Sequence, residues 1–251
     1  MRIKDICNYL EEVAPLSYQE SYDNSGLIVG EPSAECQGVL ISLDCLEETI
    51  DEAIARGCNM IVSHHPIVFT GLKRFNNSNY VQRTVQKAIK NDIAIYAIHT
   101  NLDNVLNQGV NQRFAESLKL KNIQILRPQF GRLLKLATYV PREQTQIVLN
   151  ALFAAGAGHI GNYSACSFTT DGFGTFKGNE HSNPTVGEAG LEHTENEQRI
   201  EVILRDHQQG AILRALRAAH PYEEVAYEFY TTTNADQDAG CKRDLLFACI
   251  H

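Results

Sequence analysis

The sequence predicts an α/β protein: a layered α/β lobe carrying a strand-end metal site, followed by a ferredoxin-like α+β domain. Three observations predict it. Short β-branched runs alternate with helical patterns in the first half of the chain; after Pro128 the order becomes strand, helix, strand, loop, strand, helix, strand; and histidines stand where two apolar runs of the first lobe end.

Taken in order, Ile3 to Leu10 place apolar residues at helical spacing, and Pro15 ends that helix before the turn-rich Tyr22-Asp-Asn-Ser-Gly26. Gly38-Val-Leu-Ile-Ser-Leu43 reads as a strand, Glu47 to Ala55 as a helix closed by Gly57, and Met60-Ile-Val-Ser63 as a second strand, a βαβ unit with parallel strands. Tyr80 to Lys90 gives another helix, Ile93 to Ile98 a strand, and Val110 to Leu118 a helix. Leu133 to Val140 then reads as a strand, Glu143 to Ala155 as a helix ended by Gly156, and Tyr163 to Phe168 as a strand. Arg199 to Leu204, Gln208 to Ala219 and Glu224 to Tyr230 complete the second domain as strand, helix and strand. Between them, Thr170 to Glu197 carries Gly172, Gly174, Gly178, Gly187 and Gly190 and is expected to be a long structural or interface loop. Its Gly172-Phe-Gly174 opens no helix and so does not match a phosphate-binding fingerprint. The predicted domains are 1–127, 128–233 and a tail, 234–251.

Composition narrows the function. With 251 residues, 43% hydrophobic, 21% charged, 17 Gly and 7 Pro, the chain is of globular type rather than fibrous or disordered. Lys and Arg number 22 against 30 Asp and Glu, a net charge of -8 that argues against a nucleic-acid partner. The apolar run Ile93 to Ile98 is far short of the ~20 residues of a membrane span. The seven Cys, at 7, 36, 45, 58, 166, 241 and 249, never form C-x-x-C and are odd in number, so most of them read as small buried hydrophobes. Met1-Arg-Ile-Lys-Asp5 opens with charge and no apolar segment, and the cytoplasm is the expected compartment.

The chemistry concentrates in Ser63-His64-His65-Pro66, at the C-terminal end of an apolar strand, where open α/β sheets place ligands. At a strand end turned by Pro66 two imidazoles can diverge toward neighbouring points, which suits two metals. The next strand ends in His99-Thr-Asn-Leu-Asp103 and brings a carboxylate to the same side. His64, His65 and Asp103 are the expected ligands, an N,O set suited to Zn, Mn or Fe. His99 reads equally as a ligand, an orienting residue or a substrate contact. In His220-Pro-Tyr-Glu-Glu224, Pro221 rules out a simple helical ligand pair of His220 and Glu224, and a tight turn over Tyr222 is expected. His159, His181 and His193 are weaker candidates of the same kind.

Six motifs occur in a fixed order: Tyr22-Asp-Asn-Ser-Gly-Leu-Ile-Val-Gly30, Ser63-His-His-Pro66, His99-Thr-Asn-Leu-Asp103, Gly156-Ala-Gly-His-Ile-Gly-Asn-Tyr163, Gly174-Thr-Phe176 and His220-Pro-Tyr-Glu-Glu-Val-Ala-Tyr227. Together they resemble the GTP cyclohydrolase 1 type 2 homologues, or NGG-interacting-factor-three-like family, over nearly the whole chain. The resemblance implies two divalent ions, with His64, His65 and Asp103 among their ligands, and a toroidal homohexamer. It also implies a middle domain like the PII or divalent-cation-tolerance fold, and metal-assisted hydrolysis of a purine nucleotide such as GTP. The family's remaining ligands, a His and a bridging Glu, come from a C-terminal lobe. Here the resemblance stops near Gly240, so the expectation is a divergent tail and a truncated member, less soluble than a complete one. The competing expectation is a non-catalytic metal-binding or regulatory oligomer, or an inactive truncated relative.

Overall fold

In the computed structural model, which describes residues 1–240 except 122, 124 and 126, the apolar runs of the first lobe form one sheet. α1 (Ile3–Val13) leads through a short 3-10 turn to β1 (Gly26–Val29), followed by β2 (Val39–Ser42), α2 (Glu47–Ala55), β3 (Met60–Ser63), α3 (Tyr80–Lys90) and β4 (Ala94–Ala97). The sheet order is β1-β4-β3-β2. β2, β3 and β4 are parallel, in register Val39↔Met60 and Met60↔Ala94. β1 has no counterpart in the strands read from the sequence. It runs antiparallel to β4, Gly26 opposite Ala97, with an irregularity between Leu27 and Val29. Gly30, at φ +115°, ends it: a Cβ there would lie 2.6 Å from the Ala94 Cβ, too close for any other residue.

Every residue of β3 and β4 is buried, because both faces of the sheet are covered. Alternation splits them between two cores. Ile61 and Ile95 pack with Ile50 and Ala53 of α2 and Val85 and Ala88 of α3. Met60, Val62, Ala94 and Tyr96 pack with Ile3 and Cys7 of α1. β2 lies at the sheet edge, and the face it shares with Met60 and Val62 extends beyond this second core: Ile41 is 79% exposed and Leu43 63%. Such an apolar stripe on an edge strand favours self-association. We therefore expect Ile41→Lys with Leu43→Lys to raise the concentration at which light scattering detects aggregates, while the urea midpoint moves by no more than about 0.5 kcal/mol of stability, as for other exposed substitutions. An unchanged aggregation threshold would count against the stripe.

Beyond β4 come the one-turn α4 (Thr100–Asp103), α5 (Val110–Ser117) and β5 (Pro128–Phe130). The last described strand, β10 (Ala235–Gly240), pairs with β5. Its Ala239 bridges Val105, and the Gly240 N–H donates to Asn104 O at 3.0 Å. Of the expected tail, 241–251 lie outside the described residues, as do Cys241 and Cys249. The five described cysteines, Cys7, Cys36, Cys45, Cys58 and Cys166, are free thiols.

The chain divides into two compact units, Met1–Pro128 with 238–240, and Gln129–Gln237. The second unit contains β6 (Leu133–Pro141), α6 (Thr145–Ala154), β7 (Ser167–Lys177), β8 (Glu192–Arg205), α7 (Gln209–Ala219) and β9 (Tyr227–Thr231). Its sheet order, β7-β8-β6-β9, with every neighbouring pair antiparallel, is the ferredoxin-like topology. Leu136, Val140, Ile200 and Val202 point to one face and pack with Val148 and Leu152 of α6 and Ile212 and Leu216 of α7. The intervening residues, among them Tyr139, Glu197, Arg199 and Glu201, project to the other face.

The glycine-rich stretch is not the long loop expected from the sequence. β7 extends to Lys177 and β8 begins at Glu192, paired from Ser167↔Val202 to Lys177↔Glu192, so only 178–191 connect them. Glycines and exposed polar residues are accommodated because ladder pairing, rather than burial, holds this hairpin. Among the described residues, no helix is long and apolar enough to cross a membrane.

Candidate metal centre

Four neighbouring chain segments converge at the C-terminal ends of β2, β3 and β4. The parallel ladder fixes Ser42, Ser63 and Ala97 level with one another, and the backbone continues the register: His64 N–H donates to Ser42 O at 3.1 Å and His65 N–H to Leu43 O at 3.0 Å. The residues just past these ends therefore share one crevice, where doubly wound sheets hold ligands.

Three histidines meet there. The rings of His64 and His65 lie 5.0 Å apart between centroids, His64 and His99 5.2 Å, and His65 and His99 5.5 Å. One ligand atom from each falls within 4.8 Å of those from the other two. Each ring is anchored through Nδ1: His64 to Ile98 O at 2.9 Å, His65 to Asp44 Oδ1 at 2.7 Å, and His99 to Asp23 Oδ1 at 2.8 Å. Carbonyl and carboxylate oxygens only accept, so each Nδ1 carries a proton, and in the neutral ring each Nε2 presents a lone pair. That is how protein metal sites prepare imidazole ligands, with the far nitrogen held by an acceptor that fixes tautomer and orientation.

Asp103, at the end of α4, is 1% exposed, and its Oδ1 lies 4.0 Å from His64 Nε2. Burial pushes the His64 imidazole below its ordinary range, against the opposing pull of Asp103, which favours the neutral ligand form. Burial would raise the Asp23 carboxyl. Hydrogen bonds from the Thr100 hydroxyl, His99 and the N–H groups of Asn24 and Thr100 outweigh it and hold the group at about 2, so Asp23 anchors His99 as an anion.

Buried amides clamp the His99-Thr-Asn-Leu-Asp103 segment. Asn101 Oδ1 accepts His99 N–H at 2.9 Å while its Nδ2 donates to Ala14 O at 2.7 Å, and Asn104 Nδ2 donates to Tyr18 O at 2.8 Å. The Thr100 hydroxyl donates to Asp23 and accepts the Glu20 N–H at 2.9 Å. The Tyr22-Asp-Asn-Ser-Gly26 turn is therefore part of the site.

The structure brings His64 and His65 together with His99, and sets Asp103 beside His64. Asp44 and Asp23 were not found by sequence reasoning. They stand 21 and 76 residues from the histidines they hold; Asp23 lies in the Tyr22-to-Gly30 motif, but nothing local ties either carboxylate to an imidazole. His220 is taken up elsewhere, its Nε2 facing Tyr139 O at 2.9 Å and its Nδ1 accepting the Tyr222 N–H at 3.2 Å. His159, His181 and His193 also belong to the second unit, facing Gly156 O, Glu180 and Glu195 respectively. The donor set in the crevice, three imidazole nitrogens and a buried carboxylate, fits a divalent ion of the Zn, Mn or Fe type.

The family model Duf34/NIF3 (NGG1p interacting factor 3) matches residues 1–209. A protein of Bacillus subtilis named GTP cyclohydrolase 1 type 2 homolog is 39% identical over 241 residues, and one of Halalkalibacterium halodurans with the same name is 41% identical over 239. These alignments cover 96% and 95% of this chain, which spans 64% of each relative. The crystal structure of a Bacillus cereus protein related to NIF3 superposes with a TM-score of 0.78 at 39% identity, covering 95% of this chain and 63% of that one.

Proposed function

The chain belongs to the Duf34/NIF3 family, and on that premise we propose that it is a divalent-metal-binding, hydrolase-like protein acting on a purine nucleotide such as GTP. The observation that carries the reading is the convergence of three Nδ1-anchored imidazoles on one crevice beside the buried Asp103. His64 and Asp103 would hold one ion; His65 and His99 open toward the same space and would hold a second or complete the first. A divalent ion here supplies Lewis acidity, polarising a substrate oxygen and lowering the pKa of water toward neutrality.

The chain's own residues account for the rest. Asp44 and Asp23 keep His65 and His99 in the ligating tautomer. The Phe69 ring stands 6.4 Å from His99 and 6.3 Å from Tyr22, and both aromatics are about half exposed, offering a planar face to a heteroaromatic base. The name borne by the relatives supplies the nucleotide to be tried first. Homohexameric assembly and a cytoplasmic location belong to the same reading.

The test is turnover of GTP by metal-analysed protein supplied in turn with Mn²⁺, Zn²⁺ and Fe²⁺. Turnover that disappears in both His64→Ala and Asp103→Ala is expected. Bound metal without turnover of any purine nucleotide would reduce the function to metal binding.

A further inference from the structure

The ferredoxin-like unit buries one face of its sheet under α6 and α7, and the other face would ordinarily meet solvent. Here part of it is roofed. The connection between β7 and β8 folds back as a strap: Gly190 N–H donates to Gly178 O at 2.8 Å, closing its base. Asn183 N–H donates to Glu223 Oε1 at 2.9 Å, and the Thr185 hydroxyl donates to Pro221 O at 2.7 Å, pinning the strap to the turn after α7. Beneath lies a cavity of about 450 Å³, within the range of small-molecule sites. It is built from the Gly174-Thr-Phe176 and His220-Pro-Tyr-Glu-Glu224 motifs, neither of which the metal centre uses.

The cavity walls are the rings of Tyr139, Phe176 and Tyr222, and the charge set among them is Glu197. Phe176 and Tyr222 are tilted at 6.3 Å. The Tyr222 hydroxyl donates to Glu197 Oε1 at 2.8 Å, and burial together with Glu197 pushes the phenol well above its ordinary value, so that it remains a donor. The other carboxylate oxygen lies over Gly174, where a Cβ would collide with Glu197 Oε2, so the missing side chain is what lets the carboxylate occupy the cavity. Among the other lining groups, Glu223 and Glu224 add negative charge and Lys177 positive, all three exposed. An oriented carboxylate among aromatic faces attracts a cation twice, through a charge-assisted hydrogen bond and through the ring quadrupoles.

We propose that this cavity is a second binding site, independent of the metal centre, for a small organic cation with an apolar body, a primary amine or a comparable ammonium compound. The apolar body rests on Tyr139, Phe176 and Tyr222, and the ammonium group donates to Glu197.

The probe is 2-phenylethylammonium, titrated into the full chain by calorimetry and by NMR of labelled protein, against the neutral 2-phenylethanol of matching size. The ammonium compound should bind about tenfold more tightly, the scale of one charge-assisted hydrogen bond over a neutral one. It should shift resonances of Phe176 and Tyr222. Glu197→Gln, which keeps size and the acceptor for Tyr222, should bring the two affinities within about twofold of each other. Gly174→Ala, which displaces the carboxylate, should weaken the cation alone. Equal binding of both probes, shifts confined to residues outside the cavity, or an undiminished preference in Glu197→Gln would each overturn the proposal; the first two need no variant to fold.

Discussion

Replacing His99 with Ala is expected to lower the affinity for Zn²⁺ by more than about 100-fold, beyond the 10–100-fold that loss of an outer-shell partner typically causes. The reason is geometric. His99 Nε2 faces the same space as those of His64 and His65, and no other described imidazole lies near enough to take its place. Competition with a chromophoric chelator, with metal content measured after dialysis, reads the change. Asp23→Asn should fall in the milder class: the amide oxygen can still accept from His99 Nδ1, but the anion and one acceptor are lost to a carboxylate that also serves Thr100 and Asn24. Asp23→Ala should be worse than Asp23→Asn, because His99 then loses its anchor altogether. His159→Ala, an exposed histidine of the second unit, should leave metal content unchanged. Retention of wild-type affinity in His99→Ala would return the site to the three ligands legible in the sequence, His64, His65 and Asp103.

Why those three were legible and the rest was not follows from what each signal depends on. A histidine doublet after Met60-Ile-Val-Ser63 announces its own position, because strand and turn are local patterns. The alternation of Met60, Ile61 and Val62 likewise shows a strand covered on both faces before any neighbour is known. β1 carries a weaker mark. Its four residues, opening on Gly26 and followed by Gly30, become a strand only by pairing with β4, nearly seventy positions later, and the partner decides the direction. The hairpin of β7 and β8 was hidden for a related reason: Glu192 to Gln198 is polar throughout and alternates in nothing, so its extension rests on the ladder with Asp171 to Lys177. The ligand orienters are hidden most completely. A single aspartate in a turn looks the same whether it meets water or holds an imidazole 76 residues away.

The second large effect is expected at Asn101, which touches neither ligand space nor solvent. It is 0% exposed, and its amide bridges two backbone groups, accepting the His99 N–H and donating to the carbonyl of Ala14, itself fully buried. Asn101→Ala leaves both without their partner, at about 1–3 kcal/mol for each buried polar group orphaned. We expect a loss of about 2–6 kcal/mol on that basis, read as a lower urea midpoint at an unchanged slope. Asn101→Asp keeps the acceptor for His99 but loses the donor to Ala14 and buries a second charge two residues from Asp103, so it should rescue little. An exposed amide of similar local role, Asn91, which donates to Lys87 O at 2.8 Å, supplies the control: water replaces its partner, and Asn91→Ala should cost no more than about 0.5 kcal/mol. The clamp also sits between two proposed ligands, His99 at its N-terminal side and Asp103 at its C-terminal side. Its removal should therefore weaken Zn²⁺ binding as well as folding, and excess Zn²⁺, which binds the native arrangement, should restore part of the lost stability. If Asn101→Ala unfolded at the wild-type midpoint, or lost stability while binding Zn²⁺ as before, the amide would not be what holds His99 and Asp103 in place.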